Sequence, residues 1–175
     1  HVSTSWTKST NDTATVAVFY DKSRTNIKYL NLSATDTTYY IEGFLRIQPS
    51  ATASACLPRF SVIYLDGTGA ALTPQDLYVS TLNYTSSTSN GPANITTANT
   101  DTTLGGTGTT AGTNVYQVQF RGYIRTHAST VGKLNIGFGQ SVVGSGGTST
   151  TLGLGSYIRL TKVGATNETL FGDWV

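Results

Sequence analysis

Nine acidic residues, two histidines and one cysteine are the groups in this 175-residue chain best suited to acid–base, nucleophilic or metal chemistry. Their spacing joins none of them into a site. His1 and His127 lie far apart, and neither has a Cys, His or carboxylate at metal-ligand spacing. G-x-S-x-G, H-E-x-x-H, Walker and dinucleotide-binding glycine patterns do not occur. A Ser-His-Asp triad needs no sequence proximity, but His127 stands in a T-H-A-S context and reads as a turn residue. Most acids stand singly in turn-like stretches, as Asp21, Asp36, Asp66, Asp76 and Asp101 do. Glu42 alone falls inside a long strand pattern, where Arg46 shares its face, so a structural ion pair with Arg46 is expected rather than a glycosidase acid. Asp66 in D-G-T-G fits a β-turn, with a calcium site as the sharper alternative. Cys56, in A-C-L-P, reads as a small buried hydrophobe, and a single Cys allows no intrachain disulfide. No enzyme activity, cofactor or metal is expected.

Composition narrows the partners. Only 11% of residues are charged, less than half the usual ~25%. Ser and Thr number 49, so hydroxyls must carry solubility that charges normally carry. The net charge is +2 and its basic residues are scattered, without the run or stripe that marks a nucleic-acid binder. No apolar stretch reaches the ~18 residues of a spanning helix, so neither membrane insertion nor nucleic acid is expected. Five N-x-[S/T] sequons, at Asn11, Asn31, Asn83, Asn94 and Asn167, are little more than this composition produces by chance.

The elements that must position any site read as strands. In Val115 to Arg125, residues Tyr116, Val118, Phe120 and Ile124 fall on one face, and Gln117, Gln119, Arg121 and Arg125 on the other. A period of two with one apolar face marks a half-buried strand. Thr37 to Gln48 repeats it, with Tyr39, Ile41, Leu45 and Ile47 opposite Tyr40, Glu42, Phe44 and Arg46. Further strands are expected over Thr13 to Tyr20, Ile27 to Leu32, Asp76 to Leu82, Lys133 to Val142 and Ser156 to Val163. Arg59 to Leu65 is apolar on both faces and reads as a central strand. No helical period of useful length appears. These patterns predict an all-β fold, an antiparallel β-sandwich of jelly-roll type, as one domain over residues 1–175.

Two features point to contacts. Phe44, Tyr123 and Tyr157 are out of phase with the core residues of their strands, so they are the candidate oligomer interface, with Val163 also apolar on an outer face. The segment from Ser86 to Asn114 is nearly all Ser, Thr, Asn, Gly and Ala, with Ile95 and Leu104 its large apolar residues. It is expected to be a long polar loop at about 86–114, exposed at one end of the sandwich.

The order of T-T-Y-Y-I-E-G-F-L-R-I-Q, V-Q-F-R-G-Y-I-R, G-K-L-N-I-G-F-G-Q and G-S-Y-I-R-L resembles the β-sandwich modules of tailed-bacteriophage virion surface proteins. Those modules occur in head fibres, capsid decorations and tail-fibre heads. More distantly the chain is similar to trimeric jelly rolls of the tumour-necrosis-factor and complement-C1q type. The likeness runs over roughly residues 25–165 and transfers no catalytic residue. It implies a homotrimer on a virion surface, touching other virion proteins, stabilising the particle or attaching to a host surface glycan or receptor. The alternatives are a carbohydrate-binding module or lectin, a jelly-roll major coat protein, and a copper-dependent polysaccharide monooxygenase using His1 with His127.

Overall fold

The computed structural model describes residues 6–8, 16–17, 29–49, 58–84, 89–104, 115–140 and 150–165. Among them every regular element is a strand: β1 (Trp6–Lys8), β2 (Val16–Ala17), β3 (Leu30–Asn31), β4 (Thr37–Pro49), β5 (Pro58–Leu65), β6 (Asp76–Tyr84), β7 (Ser89–Ile95), β8 (Thr102–Thr103), β9 (Tyr116–Arg125), β10 (Lys133–Gln140), β11 (Thr150–Leu152) and β12 (Tyr157–Ala165). They form two antiparallel sheets. The larger runs β1-β11-β4-β9-β6-β7, with β12 also pairing β4; the smaller runs β2-β10-β5-β8, with β3 also on β10. Consecutive long strands pass from one sheet to the other, as β4 to β5, β5 to β6 and β9 to β10 do, which wraps the chain around a shared core. The expected antiparallel β-sandwich is the fold observed.

Alternation explains the core. Along β9, Tyr116, Val118, Phe120 and Ile124 are buried while Gln117, Gln119, Arg121 and Tyr123 are exposed. β4 supplies Tyr39, Ile41, Leu45 and Ile47 to the same layer. From the smaller sheet, Phe60, Val62, Tyr64, Leu134, Ile136 and Phe138 face them, all at zero exposure. Phe60 and Phe120 meet across the layers with ring centroids 5.1 Å apart and planes tilted by 53°, a favoured aromatic geometry. Each such ring removed from water contributes on the order of 2–3 kcal/mol. β5 lies between β10 and β8, as its two apolar faces predict.

The two sheets differ on their outer sides. On the smaller one, Ser61 and Asn135 have outward parity and are nevertheless buried. The larger sheet leaves its outward face open, with Tyr78, Leu82, Tyr123 and Tyr157 all exposed.

One expectation fails. Over its described part the 86–114 segment is not an exposed excursion: Ser89–Ile95 pairs antiparallel with β6, and Thr102–Thr103 pairs with β5. Ile95 and Leu104 are buried in the core. Polarity misled because β7 is an edge strand with one bonded neighbour, and needs one apolar anchor rather than an apolar face. Pro92, which lacks a backbone donor, is tolerated at such an edge, where the pairing register also shifts between Thr81 and Asn83. Of the other expected strands, Thr13 to Tyr20 is represented by Val16–Ala17 and Ile27 to Leu32 by Leu30–Asn31. His1, Cys56, Asn11 and Asn167 lie outside the described residues.

Candidate functional site

The open face of the larger sheet is organised in rows, because residues paired across adjacent strands point the same way. One row is aromatic: Tyr78 on β6 is opposite Tyr123 on β9, which is opposite Tyr40 on β4. The Tyr78 and Tyr123 rings stack with centroids 6.3 Å apart. The next row is polar and charged, running Ser80, Arg121, Glu42, Arg159. The third is largely apolar, running Leu82, Gln119, Phe44, Tyr157. Beyond it stand Tyr84, Gln117 and Arg46. Successive rows are two residues apart, which in an extended chain is about 7 Å.

Between the second and third rows the face dips into a concavity of about 740 Å³, lined by Glu42, Phe44, Leu82, Gln119, Arg121 and Tyr157, with Ser80 and Pro92 at its side. Gly43, at a core-facing position beneath the dip, has no room for a side chain: a Cβ there would stand 2.3 Å from the Phe120 ring and 2.5 Å from the Tyr157 carbonyl oxygen.

Sequence parity placed Phe44, Tyr123 and Tyr157 on this face, and all three are there. Phe44 and Tyr157 are directly opposite each other, whereas Tyr123 belongs to the aromatic row two rows away. Tyr78, Leu82 and Arg121 are equally part of the face and were missed as site residues. Their outward parity was readable; their adjacency required the sheet order.

Charge on the face is only partly compensated. Glu42 pairs with Arg159 at 2.5 Å, not with Arg46 as expected. Four residues along a strand span about 13 Å, too far for an ion pair, while Arg159 is the register partner of Glu42 on β12. Tyr123 donates its hydroxyl to Asp76 at 3.0 Å, and this bond to the carboxylate raises the phenol pKa. At the rim, Asp36 takes up a left-handed conformation (φ 47°) and accepts hydrogen bonds from Gln75 and from both Arg125 Nε (2.9 Å) and Nη2 (2.8 Å).

The Gln75 amide is the largest influence on the Asp36 carboxyl, and together with Arg125 it outweighs desolvation, so the pKa lies below its ordinary value. A depressed folded-state pKa gives stability that is present above the unfolded value and is lost as pH falls through the folded one. Asp36→Asn keeps a residue tolerant of the left-handed region. It is expected to lower the urea midpoint at pH 7, with the gap to the parent closing as pH is lowered through the acid range of carboxylates, below about 4. A gap that stays constant between neutral and acid pH would exclude this role.

The remaining chemical candidates resolve as structural groups. Asp66 uses one carboxylate oxygen to accept from Thr68 N (2.8 Å), Thr68 Oγ1 (2.7 Å) and Ala70 N (2.9 Å), which closes the expected turn. His127 follows β9 in a turn; its backbone N–H donates to the Tyr64 hydroxyl (2.9 Å) and its Nδ1 accepts from Thr130 N (3.1 Å). Among the described residues no three His, Cys, Asp or Glu side chains gather as a metal site would require. Of the described sequons, Asn31 and Asn94 are exposed, whereas Asn83 is 1% exposed and inaccessible to a glycosyl donor.

No family model and no curated protein matches the chain. Among solved structures it is similar to a structure of infectious bursal disease virus, Gx strain, at 11% identity and a TM-score of 0.24. The likeness covers 91% of this chain and 36% of that one, so the chain spans little over a third of the length it is compared with. At so low a TM-score the likeness carries no argument.

Proposed function

We propose that the chain is a non-enzymatic structural module of a virion surface, which assembles as a homotrimer and stabilises the particle or attaches it to its host. The sequence resemblance to phage head-fibre, decoration and tail-fibre modules supports the setting. The observation that carries the reading is the open face. Tyr78, Leu82, Tyr123 and Tyr157 are 40%, 39%, 37% and 44% exposed on one side of one sheet, whereas Ser61 and Asn135 on the outward side of the other sheet are buried. A clustered aromatic surface on an otherwise closed sandwich is what a contact surface presents.

Self-association is assigned to the aromatic row. Tyr40, Tyr78 and Tyr123 form a flat strip of amphipathic rings, and aromatic side chains of this kind dominate contact energetics. Closed symmetry around such a strip would also cover the edges of an open sheet.

Tyr123→Lys tests the assignment. The new ammonium faces Asp76, so the isolated fold tolerates it, but three copies would bring like charges together at the contact. The variant is expected to run as a monomer in light scattering at micromolar concentration, with an unchanged far-ultraviolet circular dichroism spectrum. Retention of the parent's mass would remove the aromatic row from the contact.

A further inference from the structure

We infer that the concavity over the apolar row is a binding site for an acidic saccharide, held by Arg121 against the rings of Phe44 and Tyr157. The inference rests on the proposed reading of this face as a contact surface and names what one part of it contacts.

Charge complementarity leads to the ligand. Arg121 sits on the central strand β9, and its register partner on β4 is Glu42. Glu42 is already engaged by Arg159, and no described side chain pairs with Arg121. Arg46, one row beyond Phe44 on the other side, is likewise exposed, and its guanidinium has no partner among the described side chains. The five described carboxylates are all in use: Asp36 with Arg125, Glu42 with Arg159, Asp101 with Arg59, Asp66 in its turn and Asp76 with Tyr123. Among the described residues none is left to answer Arg121. We assign the anion to another molecule, to whose carboxylate a guanidinium offers two parallel donors.

Shape and lining restrict that molecule further. The concavity lies within the roughly 300–1,000 Å³ range of small-ligand sites. Phe44 and Tyr157 stand side by side and present rings suited to the C–H face of a pyranose. Gln119 and Ser80 supply an amide and a hydroxyl for ring hydroxyls. A polynucleotide would need cations tracking a backbone, whereas Glu42 lines this groove beside Arg121. The rings of this site, Phe44 and Tyr157, stand two rows, about 13 Å, from the aromatic row assigned to self-association, and Arg121 stands one row from it, about 7 Å.

The test uses the full chain and three probes, with binding read by calorimetry and by saturation transfer from the aromatic rings. They are a hyaluronan tetrasaccharide, which carries glucuronate carboxylates; chitotetraose, which is uncharged; and a four-residue thymidine oligonucleotide. The hyaluronan fragment is expected to bind at least about 10-fold more tightly than chitotetraose, and Arg121→Gln to remove that preference, since a hydrogen bond to a charged group is worth this much. Tyr157→Ala is expected to weaken both saccharides, with the mass of the assembly unchanged.

Equal binding of the two saccharides, tighter binding of the oligonucleotide, full binding by Arg121→Gln or no binding at millimolar concentration would each overturn the inference. A monomeric parent that still binds the hyaluronan fragment would overturn the self-association reading alone. A trimer that binds nothing would overturn the saccharide site alone.

Discussion

Gly122→Ala is expected to destabilise the sandwich by about 3 kcal/mol or more, the range reached when a well-packed interior is forced apart. Gly122 holds an inward position on β9 between Phe120 and Ile124, and is paired with Ile41 on one side and Val79 on the other. A Cβ at this position would stand 1.9 Å from the Tyr78 carbonyl oxygen and 2.6 Å from the Val79 Cα. Those are backbone atoms of β6, so no rotamer change relieves the contact. Relief requires β6 to move off β9, and the stacked Tyr78 and Tyr123 move with it. Gly67, with nothing within 4 Å of a built Cβ, is the control, and Gly67→Ala is expected to leave stability nearly unchanged. Urea unfolding of both variants decides the matter. A Gly122→Ala protein within about 0.5 kcal/mol of the parent, a typical surface-substitution effect, would show the sheet to be looser than its geometry states.

Asn99→Ala is expected to cost about 2–4 kcal/mol, because one side chain stands in for a missing strand. β8 pairs with β5 only at Arg59 and Phe60. Farther along β5, Asn99 takes over: its backbone N–H donates to Val62 O (2.8 Å), its Oδ1 accepts from Tyr64 N (2.9 Å), and its Nδ2 donates to Tyr64 O (2.9 Å) and Leu72 O (3.2 Å). Alanine removes the three amide bonds and leaves Tyr64 N, on a fully buried residue, without its partner, while Tyr64 O keeps only the Leu72 N–H. Asn99 also holds φ at 58°, which asparagine tolerates better than alanine. Asn99→Gly separates the two effects: it relieves the backbone and still loses the amide, so it is expected to recover only the smaller part. Amide hydrogen exchange at Tyr64 should quicken in both variants. Protection equal to the parent's in Asn99→Ala would contradict the assignment.

What was readable in the sequence follows from how local each signal is. β4, β9 and β12 show their faces residue by residue, because a strand against a core alternates whatever its neighbours are. That alternation alone placed Phe44, Tyr123 and Tyr157 on the outer side. It could not show that Phe44 meets Tyr157 while Tyr123 meets Tyr78, since those meetings depend on the order β12-β4-β9-β6. The Glu42 pairing was misjudged for the same reason: its partner Arg159 is more than a hundred residues away and reaches it only through sheet register. In β7 the difficulty was of another kind. Gly91, Pro92 and the surrounding polar residues describe a loop by composition, yet Ile95 and Leu104 were visible as isolated apolar residues, and both are buried anchors. A lone large hydrophobe in a polar run is thus a sign of where such a segment is tied to the core. Asn99 offered no comparable signal, because its bonds run to Tyr64 and Leu72 through side-chain geometry.

The central claim, that the aromatic row joins copies of this chain, is tested most directly by the mass of the purified protein in solution. Light scattering coupled to size exclusion at micromolar concentration is expected to give about 55 kDa, three times the 18.5 kDa chain, as closed threefold symmetry requires. A single species at the mass of one chain, unchanged as concentration rises, would contradict it.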